Sequence, residues 1–122
     1  MHRSVIPLGG SESASLVLTS ESVVAVDVPT MEATTVRLLV EKTVPVQERV
    51  ADGVCVWQPV YDGLGARMAI PLPAVPAACT VNVVPDALLI PGRIRFVAVD
   101  ATDTPVVQAA EKTLIVNCRR VR

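Results

Sequence analysis

Short apolar runs, separated by turn-forming residues, recur along most of the chain. Alternation of apolar and polar residues, which is typical of half-buried strands, is clearest in Val81-Asn82-Val83 and in Arg93-Ile94-Arg95-Phe96. In the second segment, Ile94 and Phe96 are expected to face a core while the arginines face water. The pattern predicts strands at 15–19, 23–28, 35–41, 53–60, 66–72, 79–84, 93–100 and 113–117, with 106–108 as a candidate additional edge strand.

Turn-forming residues separate these runs. Tyr61-Asp62-Gly63-Leu64-Gly65 is a strong hairpin or loop signal, and residues 100–105 are expected to close a hairpin back toward 113–117. Short strands at regular spacing predict an antiparallel β-sandwich, of immunoglobulin-like or jelly-roll type, over residues 15–122. Residues 1–14, punctuated by proline and glycine, are predicted to form an extended N-terminal arm.

The composition supports an all-β domain. Valine fills 24 of the 122 positions and proline fills ten. β-Branched residues suit pleated strands, and proline at this density disfavours long helices. Because 51% of the residues are hydrophobic, part of the apolar surface is expected to face a protein partner. The alternative is a tight core of small side chains.

Aromatic residues are scarce, since Phe, Trp and Tyr occur once each. Carbohydrate-binding and single-strand nucleic-acid surfaces both use aromatic faces, so the scarcity argues against them. Trp57 and Tyr61 share strand parity and are candidates for one small contact patch. A tryptophan in the core is an equally good interpretation.

The formal net charge of −1 gives no electrostatic basis for nucleic-acid binding. The one basic run is Arg119, Arg120 and Arg122 at the end of the chain. These arginines could bind an acidic partner surface or phosphates. The alternative is a solvated end that keeps an edge strand soluble.

The cysteines are Cys55, Cys79 and Cys118, without the CxxC spacing of a zinc site. Buried free thiols in a cytoplasmically folded chain are expected, with a bridge between Cys55 and Cys79 left open. The sequence shows no signal-peptide pattern. The uncharged stretch between Arg67 and Asp86 is long enough to span a bilayer, but four prolines interrupt it. No membrane association is therefore expected.

Reactive side chains are few. The single histidine, His2, lies near the chain end and is expected to be poorly positioned for catalysis or for metal binding. Asp100 and Asp103 could offer oxygens to Ca²⁺, but local hydrogen bonds within a turn are the favoured interpretation. The sequence thus predicts no catalytic, cofactor-binding or metal-binding residues, and no enzyme.

Three segments together resemble the last two strands of bacterial and phage immunoglobulin-like domains: Pro91-Gly92-Arg93-Ile94-Arg95-Phe96-Val97-Ala98-Val99-Asp100, Thr104-Pro105-Val106-Val107 and Thr113-Leu114-Ile115-Val116. In those domains a Pro-Gly turn leads into a strand, an Asp ends it, and a hairpin returns to a closing strand. Ile94 stands where such domains often carry a corner tyrosine.

The short length, the Val/Ala/Thr/Pro richness and the extended N-terminal segment are similar to those of small accessory proteins of tailed-phage virions. That resemblance implies a virion structural protein, folded in the host cytoplasm, most simply a capsid decoration or cement protein that binds neighbouring subunits and forms part of a symmetric assembly or homo-oligomer. The alternatives are a neck, tail or baseplate component and an immunoglobulin-like carbohydrate- or ligand-binding module. The candidate partner-binding residues are Val5, Ile6, Leu8, Trp57, Tyr61, Arg119, Arg120 and Arg122.

Overall fold

The computed structural model describes residues 1–19, 21–43, 57–74, 77–83 and 92–120. These residues form nine strands in two antiparallel sheets, with no helix among them. The strands are β1 (His2–Ile6), β2 (Leu16–Leu18), β3 (Glu21–Val28), β4 (Arg37–Thr43), β5 (Trp57–Pro59), β6 (Ala69–Pro71), β7 (Cys79–Asn82), β8 (Gly92–Val99) and β9 (Lys112–Arg120). Within the described residues, no helix is long and apolar enough to cross a membrane.

Sheet I has the strand order β1-β9-β3-β7, so the first and last strands are neighbours. Sheet II has the order β2-β8-β4-β5, and β6 also pairs with β4. β5 and β6 occupy different parts of the same β4 edge, because β5 pairs with its end and β6 with its beginning.

One apolar core lies between the two sheets. Phe96, Ile94 and Leu38 enter it from sheet II, and Val26 and Val116 enter it from sheet I. All five side chains are fully buried. Since burying an aliphatic or aromatic side chain of this size contributes about 1.5–3 kcal/mol, this core is the main source of the fold's stability. The predicted all-β, two-sheet architecture is confirmed.

Eight of the nine observed strands overlap the eight predicted ones, and β1 is the additional strand. Ile94 and Phe96 face the core as the alternation indicated. Two predicted strands extend beyond the described residues, at 53–56 and at 84. The candidate edge strand at 106–108 does not form; a single bridge joins Pro105, just before it, to Val99.

The separate N-terminal arm is not confirmed, because its residues are built into the sandwich. β1 pairs with β9 over its whole length, and the side chain of Ile6 is fully buried in the core. Ser13 donates its backbone N–H to Phe96 O at 2.8 Å, and its hydroxyl accepts the Phe96 N–H at 2.8 Å. Ala14 in turn donates to Val5 O at 2.8 Å. Residues 11–14 therefore join the edges of both sheets.

The predicted hairpin between β8 and β9 is wrong. Residues 100–104 do form a tight turn, closed by the hydrogen bond from Asp100 N to Thr104 O at 2.9 Å. The chain then crosses to sheet I, where β9 pairs with β1 and β3. In immunoglobulin constant domains the last two strands share a sheet, whereas here they lie in opposite sheets. Neither an immunoglobulin-like nor a jelly-roll type is confirmed.

A buried glutamine holds this crossover in place. Gln108 is fully buried, and its carbonyl accepts the backbone N–H of Glu32 at 3.0 Å. Its amide donates to Thr35 Oγ1 at 3.2 Å and to Val106 O at 3.1 Å. Because a buried amide without partners is costly, these bonds fix the path of the chain between the sheets.

Candidate functional site

The outer face of sheet II carries the densest group of interacting side chains that the structure describes. Alternation directs Leu38 and Val40 of β4 into the core, so Arg37, Leu39 and Glu41 point outward. Register places further outward residues beside these three on the neighbouring strands. Together they form what we call the outer face: Glu12, Arg37, Leu39, Glu41, Trp57, Arg67, Ala69, Pro71, Arg95, Val97 and Val99.

The centre of the outer face is apolar. Leu39, Val97 and Val99 are buried and form a second cluster with Ala69, separate from the main core. Beside them lies a depression of about 440 Å³, lined by Arg37, Leu39, Arg67, Ala69, Pro71 and Asp103. Because Leu39, Val97 and Val99 are already covered, the apolar surface open to a partner here is that of Ala69 and Pro71. The charged side chains around it are typical of an interface rim.

A charged network borders the depression on one side. Arg95 lies between two carboxylates, with Nη1 2.8 Å from Glu12 Oε2 and Nη2 2.8 Å from Glu41 Oε1. The guanidinium carbon of Arg95 lies 4.4 Å from the ring centroid of Trp57, within the range of a cation–π contact. Arg95 and Glu41 are only 18% and 19% exposed, so their contact is well shielded from solvent, whereas Glu12 is 54% exposed and its pairing is more strongly screened.

Arg67 links this network to the depression. Its Nη2 donates to Glu41 Oε2 at 3.4 Å. Its Nε is buried and has no hydrogen-bond partner among the described residues. A buried donor without a partner costs about 1–3 kcal/mol. Because solvent does not reach this atom, a partner group would pair with the rest of the Arg67 guanidinium, whose side chain is 25% exposed.

The opposite border is the 100–104 turn. Arg37 donates to Asp103 Oδ1 at 2.6 Å and to Ala101 O at 3.2 Å. Asp103 has a positive φ of 62°, a conformation that aspartate tolerates better than most residues. The Asp103 carboxylate therefore forms an ion pair with Arg37.

Asp100 supplies the hydrogen bonds that form this turn. Its Oδ1 accepts the Thr102 hydroxyl at 2.8 Å and the Thr102 and Thr104 N–H groups at 2.8 and 3.0 Å. These bonds, the one from the Thr102 hydroxyl above all, hold the pKa of Asp100 below its ordinary value. Asp100 thus makes the local turn hydrogen bonds that the sequence favoured, whereas the Asp103 carboxylate pairs with the distant Arg37.

The two predicted aromatic residues occupy this side of the molecule. Trp57 is half-buried beneath Arg95, while Tyr61 is 59% exposed. Tyr61 bridges to Arg67 across a hairpin that the Asp62 carboxylate closes by accepting the N–H groups of Leu64 and Ala66 at 2.8 and 3.0 Å. At the hairpin tip, Leu64 is 96% exposed.

The other candidate partner-binding residues lie elsewhere. Ile6 is fully buried, so its assignment to a partner surface is wrong: the side chain has no surface to offer. Val5 is half-buried on β1, and Leu8 is exposed in the loop that hydrogen-bonds to Gln108 through Gly9. The structure does not bring these residues together with Trp57 and Tyr61.

The basic chain end belongs to sheet I. Arg119 and Arg120 are exposed at the end of β9, opposite Ser22 and Glu21 of β3. Arg122 lies outside the described residues. Arg119 and Arg120 are therefore in the sheet opposite the outer face.

Three half-buried side chains on sheet I, those of His2, Glu21 and Cys118, form a cluster that the sequence did not predict. His2 lies in the paired strand β1 and not on a separate arm, with Nε2 3.3 Å from Glu21 Oε2. Cys118 of β9 lies close to both, and burial, reinforced by the Glu21 carboxylate, raises the pKa of its thiol. Strand parity alone could not reveal this cluster, because it depends on which strands pair.

Among the described residues, Cys79 and Cys118 are free thiols, while Cys55 lies outside them.

A scan of protein-family models, a search of curated proteins and a search of solved structures found no match to this chain.

Proposed function

We propose that this chain is a non-enzymatic structural protein that binds another protein subunit through the outer face of sheet II. In its composition and small size it resembles tailed-phage accessory proteins, and we propose a capsid decoration or cement role within a virion. The observation that carries the binding proposal is the depression over Leu39, Ala69 and Pro71, whose other lining side chains are charged: Arg37, Arg67 and Asp103. Interfaces typically combine such an apolar centre with a polar rim.

The chemistry of the depression indicates what the bound subunit presents. An apolar side chain would fill the space above Leu39, Ala69 and Pro71. A carboxylate beside it would accept from the Arg67 guanidinium, whose side chain is 25% exposed, and such a charge-assisted bond is stronger than a neutral one. Tyr61 and Leu64, which stay exposed at the neighbouring hairpin, would add contact area around this centre. A separate N-terminal arm has no part in the proposal.

The test is co-expression with the major capsid protein encoded in the same genome, followed by sedimentation of the assembled shells. The chain is expected to sediment with the shells at a fixed stoichiometry. The variant Ala69→Arg fills the depression and is expected to remain in the supernatant. Ala78→Arg is the matched control, because it makes the same change at an exposed position before β7 in sheet I.

Three results would count against the proposal. Shells that sediment without the wild-type chain contradict capsid binding. Equal incorporation of Ala69→Arg and Ala78→Arg contradicts the use of the outer face. A source genome without any capsid protein gene contradicts the virion role, while leaving open the binding of another subunit.

A further inference from the structure

Three inward positions at one end of sheet I bring together a histidine, a carboxylate and a thiol. His2 shares the inward side of β1 with the buried residues Ser4 and Ile6. On β9, Cys118 has the same parity as the buried residues Leu114 and Val116. The inward side of sheet I thus ends in potential metal ligands at the point where its apolar residues stop.

Strand pairing accounts for their proximity. His2 pairs with Val116, two residues before Cys118 on the same strand. Glu21 begins β3, in register with Arg120 on the other side of β9. Consequently β9 lies between the two other strands, and its thiol lies beside the direct contact of the imidazole with the carboxylate.

The distances suit a shared ion. Nε2 of His2 lies 3.4 and 3.3 Å from the two carboxylate oxygens of Glu21. One ligand atom from each of the three residues lies within 4.8 Å of the others. Tetrahedral zinc bonds of about 2.0–2.3 Å put neighbouring ligand atoms about 3.3–3.8 Å apart. Small side-chain rotations, without backbone movement, would therefore close the set around an ion.

We propose that His2, Glu21 and Cys118 form a binding site for a divalent metal ion of the zinc class. A nitrogen, an oxygen and a sulfur ligand are a donor set for Zn²⁺ and its neighbours, whereas Ca²⁺ and Mg²⁺ take oxygen ligands. A thiolate and a carboxylate together balance the charge of a divalent ion. With three protein ligands, a fourth position stays open to water or to a group from a bound partner.

The charges around the site are compatible with this assignment. The side chains of His2 and Glu21 are 30% and 31% exposed, so an ion can enter from solvent. Arg120, in register with Glu21, is exposed, and solvent screens its repulsion of a cation. Without metal, the His2–Glu21 pair is an ordinary half-buried contact that contributes little.

Binding would have a structural consequence in addition to its chemistry. Its ligands come from β1, β3 and β9, so the ion would tie the first strand to the last. A ligand that binds only the folded state raises its stability by mass action. The melting temperature is therefore a readout that does not depend on any activity.

The experiment uses the untagged chain, freed of metal by a chelator and titrated with Co²⁺ and then Zn²⁺. The wild-type chain is expected to bind one ion, to show the near-ultraviolet thiolate-to-cobalt charge-transfer band, and to melt at higher temperature with Zn²⁺. Cys118→Ser should lose the band. His2→Asn and Glu21→Gln should weaken binding by about tenfold or more, since even second-shell changes cost about 10–100-fold.

The matched control is Cys79→Ser, which removes the free thiol of β7 and should leave the band and the affinity unchanged. The proposal is overturned if the wild-type chain shows neither saturable Zn²⁺ binding nor the cobalt band. It is also overturned if the band survives Cys118→Ser but not Cys79→Ser. Circular dichroism of each variant shows that lost binding is not lost folding, and the wild-type measurement decides without any variant.

Discussion

Replacing Ile6 with alanine tests whether the first residues are part of the fold. The Ile6 side chain is fully buried in the core between the sheets. The substitution removes three carbon atoms, worth about 0.8 kcal/mol each in transfer free energy, or about 2.4 kcal/mol. The cavity that remains adds to this, so we expect a loss of about 3–4 kcal/mol, inside the range of about 2–5 kcal/mol for such changes.

Urea unfolding followed by Trp57 fluorescence measures this loss. Trp57 lies on β5 of sheet II, so it reports cooperative unfolding and not a local change at β1. With a slope of about 1–3 kcal/mol per molar urea, a loss of about 3 kcal/mol moves the midpoint by about 1–3 M. Far-ultraviolet circular dichroism should give the same midpoint if unfolding is two-state.

The control is Leu8→Ala, since Leu8 lies two residues further along and is 70% exposed. It should change the stability by no more than about 0.5 kcal/mol. If Ile6→Ala has the same midpoint as Leu8→Ala, β1 contributes nothing to the core, and residues 1–14 act as a detached arm after all.

Three further substitutions probe other parts of the structure. Gln108→Ala leaves the Glu32 N–H, between β3 and β4, without its acceptor. The free energy of unfolding measured in urea should fall by about 1–3 kcal/mol, and an unchanged midpoint would refute the role of Gln108 in the crossover. Asp100 has a lowered pKa in the folded state, so its contribution to stability is present above the unfolded pKa of about 4 and is lost as the pH falls through the folded value. In Asp100→Asn that part of the pH dependence should disappear from unfolding measured between about pH 2 and 5. Arg95→Ala removes the cation over the Trp57 ring; it should change the tryptophan emission and lower stability by about 1–2 kcal/mol, a half-buried pair costing less than a buried one. Unchanged emission would contradict the packing described here.

The sequence pattern was sufficient for most strands and for the local turns. In β8, the alternation of Ile94 and Phe96 with arginines gave the inward side correctly, because both arginines point away from the core. The Asp100 turn was also predictable, since its bonds join residues no more than four apart. Local chemistry determines such features, and a single sequence contains it.

Other features depend on contacts between distant segments. β1 lacks an apolar alternation because Ser4, fully buried, takes one inward position and donates its hydroxyl to Ala14 O at 2.6 Å. Leu39 and Val97 are apolar although they face outward. They therefore interrupt the alternation of apolar and polar residues along β4 and β8. The outer face therefore could not be distinguished from the core by pattern. The cluster of His2, Glu21 and Cys118 likewise forms only because β1, β9 and β3 are neighbours in that order. No spacing in the sequence indicates that order.

The pairing of β1 with β9 has a consequence for how the protein folds. β1 is synthesised before the other described strands, yet its partner β9 is synthesised after them. Sheet I therefore cannot close until synthesis of both strands is complete, and Ile6 stays exposed until then. Sandwiches rich in distant pairings fold in about milliseconds to seconds. During that interval, β1 and the edge of β3 that later pairs with β9 can pair with other chains. Rapid synthesis and docking of β9 would therefore protect the newly made protein from aggregation.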